Sequence, residues 1–169
     1  GTFSIMASLD VTAPESGAVV TAESSYAIQW TTGPLSGSAI GAPNVILEYS
    51  TNGGSTWSYV NGTSPFTVPN SGSYTWNPTP ATLTSALKVR VYDPNNTATM
   101  NTGTGNSEIR GQLTVTSPNL GTESWDVGSP YPITWTKKGD WATAGYTVNL
   151  QYTANNGSTW STLTTGLAA

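Results

Sequence analysis

The chain has 169 residues, of which only 8% are charged, and nine acidic against five basic residues give a net charge of −4. The shortage of positive charge disfavours nucleic-acid binding, because such binding depends on neutralising backbone phosphates. Cysteine and histidine are absent, which excludes disulfides, thiolate or histidine catalysis and most transition-metal sites.

Apolar and polar residues alternate along most of the chain, and a period of two is typical of β-strands. The first such run extends from Phe3 to Val11. Clusters of Gly, Pro, Asn and Ser separate the runs, and no stretch carries an amphipathic helical period. The pattern predicts seven main strands: A (Leu9–Thr12), B (Ser25–Thr31), C (Asn44–Ser50), C′ (Thr56–Val60), E (Gly72–Trp76), F (Leu87–Asp93) and G (Glu108–Gln112).

The sequence pattern begins again at Leu113 and stops partway through the second copy. A period near 104 residues matches one small β domain and is far above the ~20–50 residues of solenoid repeats. The matched pairs are Val11 with Val115, Trp30 with Trp135, Tyr49 with Tyr152, and Trp57 with Trp160.

This repeat predicts an all-β protein made of tandem immunoglobulin-like, or fibronectin III-like, β-sandwiches. Residues 1–8 are predicted to be the last strand of a preceding domain or a donor strand. Residues 9–112 form a complete sandwich, and residues 113–169 supply strands A to C′ of a second, incomplete one. Alternation continues through Ile109–Val115 without a Gly/Ser-rich linker, so we expect a stiff connection between the two domains.

Two segments of the chain match a known β-sandwich repeat. The matching residues are Val115, Ser117, Pro118, Glu123, Trp125, Gly128, Ile133, Trp135 and Thr136, with Ser71–Pro78 matching a later strand. Through these residues the chain resembles the Ser/Thr-rich GPI-anchored membrane family, which includes yeast cell-wall β-glucan assembly proteins, and bacterial and archaeal surface repeats. The resemblance implies a sandwich of secreted surface proteins that serves as a spacer, an adhesin or an appended module.

Ser50–Trp57 resembles the Asp-box of sialidases and other propellers, and Thr153–Trp160 is a looser match. One interpretation is a propeller glycosidase. The other is a local hairpin in which Asn binds nearby backbone, Gly adopts positive φ and Trp packs over the turn. Propeller blades recur about every 40–50 residues, whereas this motif recurs after 103. The spacing favours structural hairpins.

Carboxylates are the remaining groups for acid–base chemistry, and a glycosidase needs two of them facing each other at ~5–9.5 Å. The nine present form no recognisable motif, so we expect no catalytic residues and no dedicated metal site. Calcium is the one cofactor left open, because Asp93–Asn96 offers oxygen ligands and Asp10, Glu15 or Asp126 could add to them.

Trp125 and Trp141 lie in predicted loops and are candidate glycan contacts, because aromatic faces stack on sugar rings. The alternative is that both pack structurally within their loops.

Strands A to C′ of the second domain, taken alone, leave an apolar face against water. We expect it to be covered by further domains of a longer chain or by strands of another copy. A donor strand would carry Phe3, Ile5, Ala7, Leu9 and Val11. One strand does not replace three, so a longer chain is favoured. The uncovered core residues are predicted to be Ile133, Trp135, Val148, Leu150 and Tyr152.

These observations favour a non-enzymatic, extracellular structural protein. It would be a self-assembling subunit of a cell-surface filament, sheath, stalk or surface layer, with no membrane span and no nucleic-acid partner. The alternative is a carbohydrate-binding or adhesive module of a secreted enzyme or cell-wall protein.

Overall fold

The computed structural model describes residues 8–33 and 43–168. The regular structure of these residues is β-strand throughout, without helix, so they hold no helix suited to crossing a membrane. In chain order their strands are β1 (Leu9–Ala13), β2 (Val19–Thr21), β3 (Tyr26–Thr32), β4 (Asn44–Ser50), β5 (Ser58–Tyr59), β6 (Thr67–Pro69), β7 (Ser73–Trp76), β8 (Thr84–Asp93), β9 (Asn96–Thr102), β10 (Ser107–Arg110), β11 (Gln112–Ser117), β12 (Thr134–Lys138), β13 (Thr147–Tyr152) and β14 (Ser161–Ala168).

Strands β1 to β10 form two sheets, which together we call the first unit. The smaller sheet has the order β1-β3-β7, with antiparallel pairs. The larger sheet has the order β2-β10-β8-β4-β5, with β6 added beside β4 and β9 beside β8. In this sheet β10 runs parallel to β2, and the other pairs are antiparallel.

Side-chain alternation gives each of these sheets one face in a shared core. Ile28 and Trp30 of β3 are 0% and 2% exposed, and Leu87, Val89 and Val91 of β8 are at most 1% exposed. Residues two apart leave a strand on the same face, and all five belong to one apolar cluster. The two sheets therefore pack face to face, as in a β-sandwich.

The all-β prediction is confirmed, and each of the seven predicted strands is present. Trp30 lies in the core, while Tyr49 is half-buried with its ring centroid 4.8 Å from that of Trp76. Strands β2, β6 and β9 were not predicted. Asp93–Asn96, predicted to be a loop, is the tight end of the β8–β9 hairpin, with Asp93 directly opposite Asn96.

Strands β11 to β14 form two separate two-stranded sheets, which we call the second unit. Here β11 pairs with β12 in the way that β1 pairs with β3. Val115 lies opposite Trp135 as Val11 lies opposite Trp30, and a bulge follows each valine. The matching segments of the two units thus have the same local strand pairing.

Candidate assembly interface

The second unit has two strand edges whose counterparts in the first unit are covered. In the first unit β3 lies between β1 and β7, while β4 pairs with β8 on one side and with β5 and β6 on the other. Within the described part of the chain, β12 pairs with β11 alone and β13 with β14 alone. We call the uncovered sides of β12 and β13 the open edges. An open edge presents backbone donors and acceptors that a further strand can pair with.

Apolar side chains near the open edges are more exposed than their counterparts in the first unit. Tyr152 is 50% exposed, and Ile133, Trp135 and Leu150 are half-buried. Trp30, the counterpart of Trp135, is 2% exposed. The difference arises because the first unit packs a second sheet over its tryptophan.

Val148 differs from the other predicted uncovered residues, since it is only 7% exposed. The reason is that β14 runs beside β13 and places Leu167 opposite Val148. The first unit pairs Val45 with Val68 in the same way. Strand β14 thus does for β13 what β6 does for β4.

The predicted donor strand lies partly outside the described residues, because Phe3, Ile5 and Ala7 precede residue 8. Leu9 and Val11 belong to β1, which pairs with β3 of the same unit, and Leu9 is 7% exposed. Both side chains pack with the core of the first unit. Their assignment to a donated strand is therefore corrected, and such a strand is confined to the residues before Leu9.

Trp125 stacks on Tyr131, with ring centroids 4.9 Å apart and planes 4° from parallel, and it is 45% exposed. Its position has a counterpart in the first unit. Trp125 lies three residues before Gly128, just as Val20 lies three before Glu23, and Gly128 and Glu23 both have positive φ. Val20 is fully buried. Trp125 is therefore aligned with Val20, a residue in the core of the first unit.

Trp141 lies at the contact between the two units. The β carbon of an alanine in place of Gly111 would lie 2.8 Å from three atoms of the Trp141 indole. The indole Nε1 donates a hydrogen bond to the carbonyl of Lys138 at 2.8 Å, and the ring meets Tyr146 edge-on. Trp141 is half-buried, with Gly111 and Tyr146 against its ring.

A cavity of about 320 Å³ opens beside this contact. Trp141 and Tyr146 line it from the second unit, and the first unit contributes Leu83, Glu108 and Arg110 among others. Arg110 donates two hydrogen bonds to the Glu108 carboxylate, at 3.1 and 2.7 Å. These bonds lower the pKa of Glu108 and keep the cavity wall charged.

The first Asp-box-like segment is a hairpin turn held by its own side chains. Ser50 Oγ accepts the N–H of Gly54 at 2.8 Å, and Asn52 Oδ1 accepts the N–H of Thr56 at 2.9 Å. The Asn52 side-chain amide also donates to Thr56 Oγ1 at 2.8 Å. Gly54 has a φ of 98°.

The second Asp-box-like segment has the same network with threonine in place of serine. Thr153 Oγ1 accepts the N–H of Gly157 and Asn155 Oδ1 accepts the N–H of Thr159, both at 2.9 Å. Asn155 also donates to Thr159 Oγ1 at 2.8 Å. Both segments therefore form the structural hairpin that the spacing favoured.

Beside the first hairpin lies a charged and aromatic cluster that sequence reasoning missed. Glu48 is 6% exposed and is bound by Arg90, whose Nε donates to it at 2.6 Å. The Arg90 guanidinium lies 4.3 Å from the ring centroid of Trp57. Burial, together with the charge of Glu48 and the neighbouring Tyr59, raises the pKa of Tyr92 to about 12.

The second unit has no described counterpart of this cluster. Gln151 stands where Glu48 stands in the first unit, and its side chain donates to Thr162 Oγ1 at 3.3 Å. Trp160, the counterpart of Trp57, is 59% exposed. The tryptophan of the hairpin thus packs against Arg90 in the first unit and is exposed in the second.

The loop suggested for calcium uses its carboxylate in the hairpin turn, where Asp93 Oδ1 accepts the N–H of Asn95 at 2.8 Å. In the described ranges no three acidic, histidine or cysteine side chains come together in a way that suits a metal ion. Calcium binding stays a prediction.

Comparison of the chain with protein-family models, with curated proteins and with solved structures found no match.

Proposed function

We propose that this chain is a non-enzymatic structural protein of the cell surface, built from tandem Ig-like β-sandwiches that assemble through strand contacts. The observation that carries the proposal is the repeated strand pairing. The β11–β12 pair has the register and the bulge of β1–β3. Strand β14 pairs with β13 as β5 and β6 pair with β4.

The strand order of the first unit supports an Ig-like sandwich. Strands β1, β3 and β7 correspond to A, B and E, while β10, β8, β4 and β5 correspond to G, F, C and C′. Sheets with A, B and E on one side and C, F and G on the other are the pattern of that fold. The low charge and the many hydroxyl and amide side chains support an extracellular location.

The open edges require strands of the same kind as those that complete the first unit. Three strands are needed, and residues 1–8 of a second copy would provide one of them. Strands of another copy of the chain are the cover that the following experiment tests.

Electron microscopy and light scattering of the purified chain test assembly through the open half. We expect oligomers or filaments that form as concentration rises. Leu150→Lys places a charge on the uncovered face of β13 and should abolish assembly. Thr147→Lys, on the opposite face, should leave it intact, because its counterpart Asn44 is exposed in the first unit. A monomer at all concentrations, or equal effects of both substitutions, contradicts the proposal.

The cavity beside Trp141 favours a second candidate function, carbohydrate binding. An indole and a phenol ring stand beside the Glu108 carboxylate and the Thr84 and Ser85 hydroxyls, the combination that sugar-binding sites use. A glycan array tests this function, with Trp141→Ala expected to lose any hits. An array without hits rules it out.

A further inference from the structure

Three consecutive residues of the second unit form hydrogen bonds with the first unit. The Gly139 N–H donates to Glu23 Oε2 at 2.6 Å, and the Lys138 ammonium donates to Ser24 Oγ at 2.7 Å. The Asp140 N–H donates to the carbonyl of Ala81 at 2.7 Å. We call Lys138–Trp141 the docking loop. It is bound by two segments that are far apart in sequence, around residues 23 and 81, and hydrogen bonds between Thr79 and residues 23 and 24 join these segments to each other.

Two glycines make room for this contact. Gly139 has a φ of 95°, and a β carbon there would lie 2.6 Å from Leu83 Cδ2 and 3.3 Å from the Ala22 β carbon. Gly111 is the one residue between β10 and β11, and it faces the Trp141 indole. Since the indole is a rigid ring, the contact leaves no space for a side chain at residue 111.

Glu23 has an unfavourable backbone conformation at the centre of the contact. Its φ is 50°, in the left-handed region where glycine carries the least cost. The second unit has Gly128, with a φ of 85°, at the matching position before its own strand β12. Local backbone preference therefore favours glycine here. A glycine at residue 23 would remove the hydrogen bond between the Glu23 carboxylate and the docking loop.

We propose that Glu23 is a positioning residue, and that the surface formed by Ala22, Glu23, Ser24, Ala81 and Leu83 is a specific receptor for the docking loop. Its occupant is a Lys-Gly-Asp-Trp loop on the unit that follows. The receptor holds the second unit at one angle to the first, and Gly111 provides too short a connection for the units to separate freely.

The second unit lacks this receptor. At the positions of Ala22 and Glu23 it has Val127 and Gly128, so the carboxylate is absent and a larger side chain is present. Because Ala22 lies close to Gly139, a valine there would crowd a docking loop. At these two positions the receptor is therefore specific to the first unit.

This inference deepens the proposed function, since a fixed angle serves an array, but its test needs no assembly. The chain has no cysteine, so Ala98→Cys and Ala154→Cys place one spin label on an exposed site of each unit. Pulsed electron paramagnetic resonance then measures the distance between the units in dilute solution. We expect one narrow distance distribution in the parent chain.

Glu23→Gly should broaden the distribution and remove the hydrogen-exchange protection of the Gly139 amide. The unfolding midpoint of the first unit should be retained, because glycine fits the backbone at this position. Gly111→Ala should broaden the distribution as well, by displacing Trp141. Glu15→Gln, which removes an exposed charge away from the contact, should change nothing.

A distribution that stays narrow in both Glu23→Gly and Gly111→Ala overturns the joint. Loss of first-unit stability in Glu23→Gly without broadening assigns Glu23 a merely structural role and overturns it too. A narrow distribution in a chain that never assembles supports the joint and contradicts the proposed function.

Discussion

The two units share their local structure and differ in how much of it is buried. The β1–β3 and β11–β12 pairs have the same register and bulge, and the two hairpins have the same hydrogen bonds. Yet Trp30 is 2% exposed while Trp135 is half-buried, and Trp160 is 59% exposed beside the clamped Trp57. Turns and strand pairs therefore form from nearby residues, whereas burial requires strands from far along the chain.

The largest expected difference concerns the matched tryptophans. Trp30→Ala should lower the free energy of unfolding by about 3–5 kcal/mol, because it empties a packed core site. Trp135→Ala should cost less than half as much, since Trp135 lacks a covering sheet. Urea unfolding followed by circular dichroism measures both. Equal losses would mean that Trp135 is already fully packed, which contradicts the open half.

The next prediction concerns the Glu48–Arg90 ion pair, which lies beside the first hairpin. Arg90→Met leaves the Glu48 carboxylate buried without its partner and should cost about 3 kcal/mol. The value is at the lower end for such pairs because the Arg90 side chain is 24% exposed. Adding Glu48→Gln, which copies Gln151 of the second unit, should recover most of the loss. A double variant no more stable than Arg90→Met would show that the charge on Glu48 is unimportant.

The two hairpins should respond equally when their own asparagine is removed. Asn52→Ala and Asn155→Ala each lose three side-chain hydrogen bonds, at a total cost of about 1.5–3 kcal/mol because most of these bonds are exposed. Hydrogen exchange of the Thr56 and Thr159 amides reports each loss locally. Ser55→Ala, which removes an exposed bond, is the control. A much smaller effect of Asn155→Ala would mean that the second hairpin depends on its surroundings.

The strands and hairpins were predictable from sequence because their signals are local. Alternation around Trp30 and Tyr49 indicated β3 and β4, and the motif of Ser50–Trp57 indicated its turn. Strand β9 escaped prediction because Asn96–Thr102 is mostly polar on both faces and is a strand through its pairing with β8.

The interface was less predictable, because it depends on contacts between distant residues. Glu48 reads as an outward carboxylate, and its partner Arg90 lies 42 residues away. The sequence shows Trp141 only as an aromatic residue in a loop, and its packing against Gly111 is visible only in the structure. For Glu23, the one sequence signal was its alignment with Gly128.

The loop after the first strand of each unit is held by different means. In the first unit the N–H of Gly17 donates to the Asn106 carbonyl at 2.9 Å, and Ser107 Oγ donates to the Glu15 carbonyl at 2.8 Å. Both partners lie at the start of β10. The second unit has no described strand in that place. Its loop is held instead by the carboxylate of Glu123.

The smallest expected effect is the pH dependence of this second loop. Glu123 Oε1 accepts the N–H groups of Leu120 and Asn119 at 2.7 and 2.6 Å, and these bonds lower the pKa of Glu123 from 4.5 to about 2. Between these values the unfolded chain binds the proton more readily than the folded one. The stabilisation is therefore complete above about pH 4.5 and is lost as the pH falls towards 2.

Carboxyl NMR titration should give this low pKa for Glu123, and the Leu120 amide should lose protection over the same pH range. Glu123→Gln should remove the pH dependence of the loop while leaving the counterpart loop at Gly17 unchanged, because that loop is held by backbone groups that do not titrate. If Glu123 titrates near its ordinary pKa of 4.5, its carboxylate does not hold this loop in the way that β10 holds the loop of the first unit.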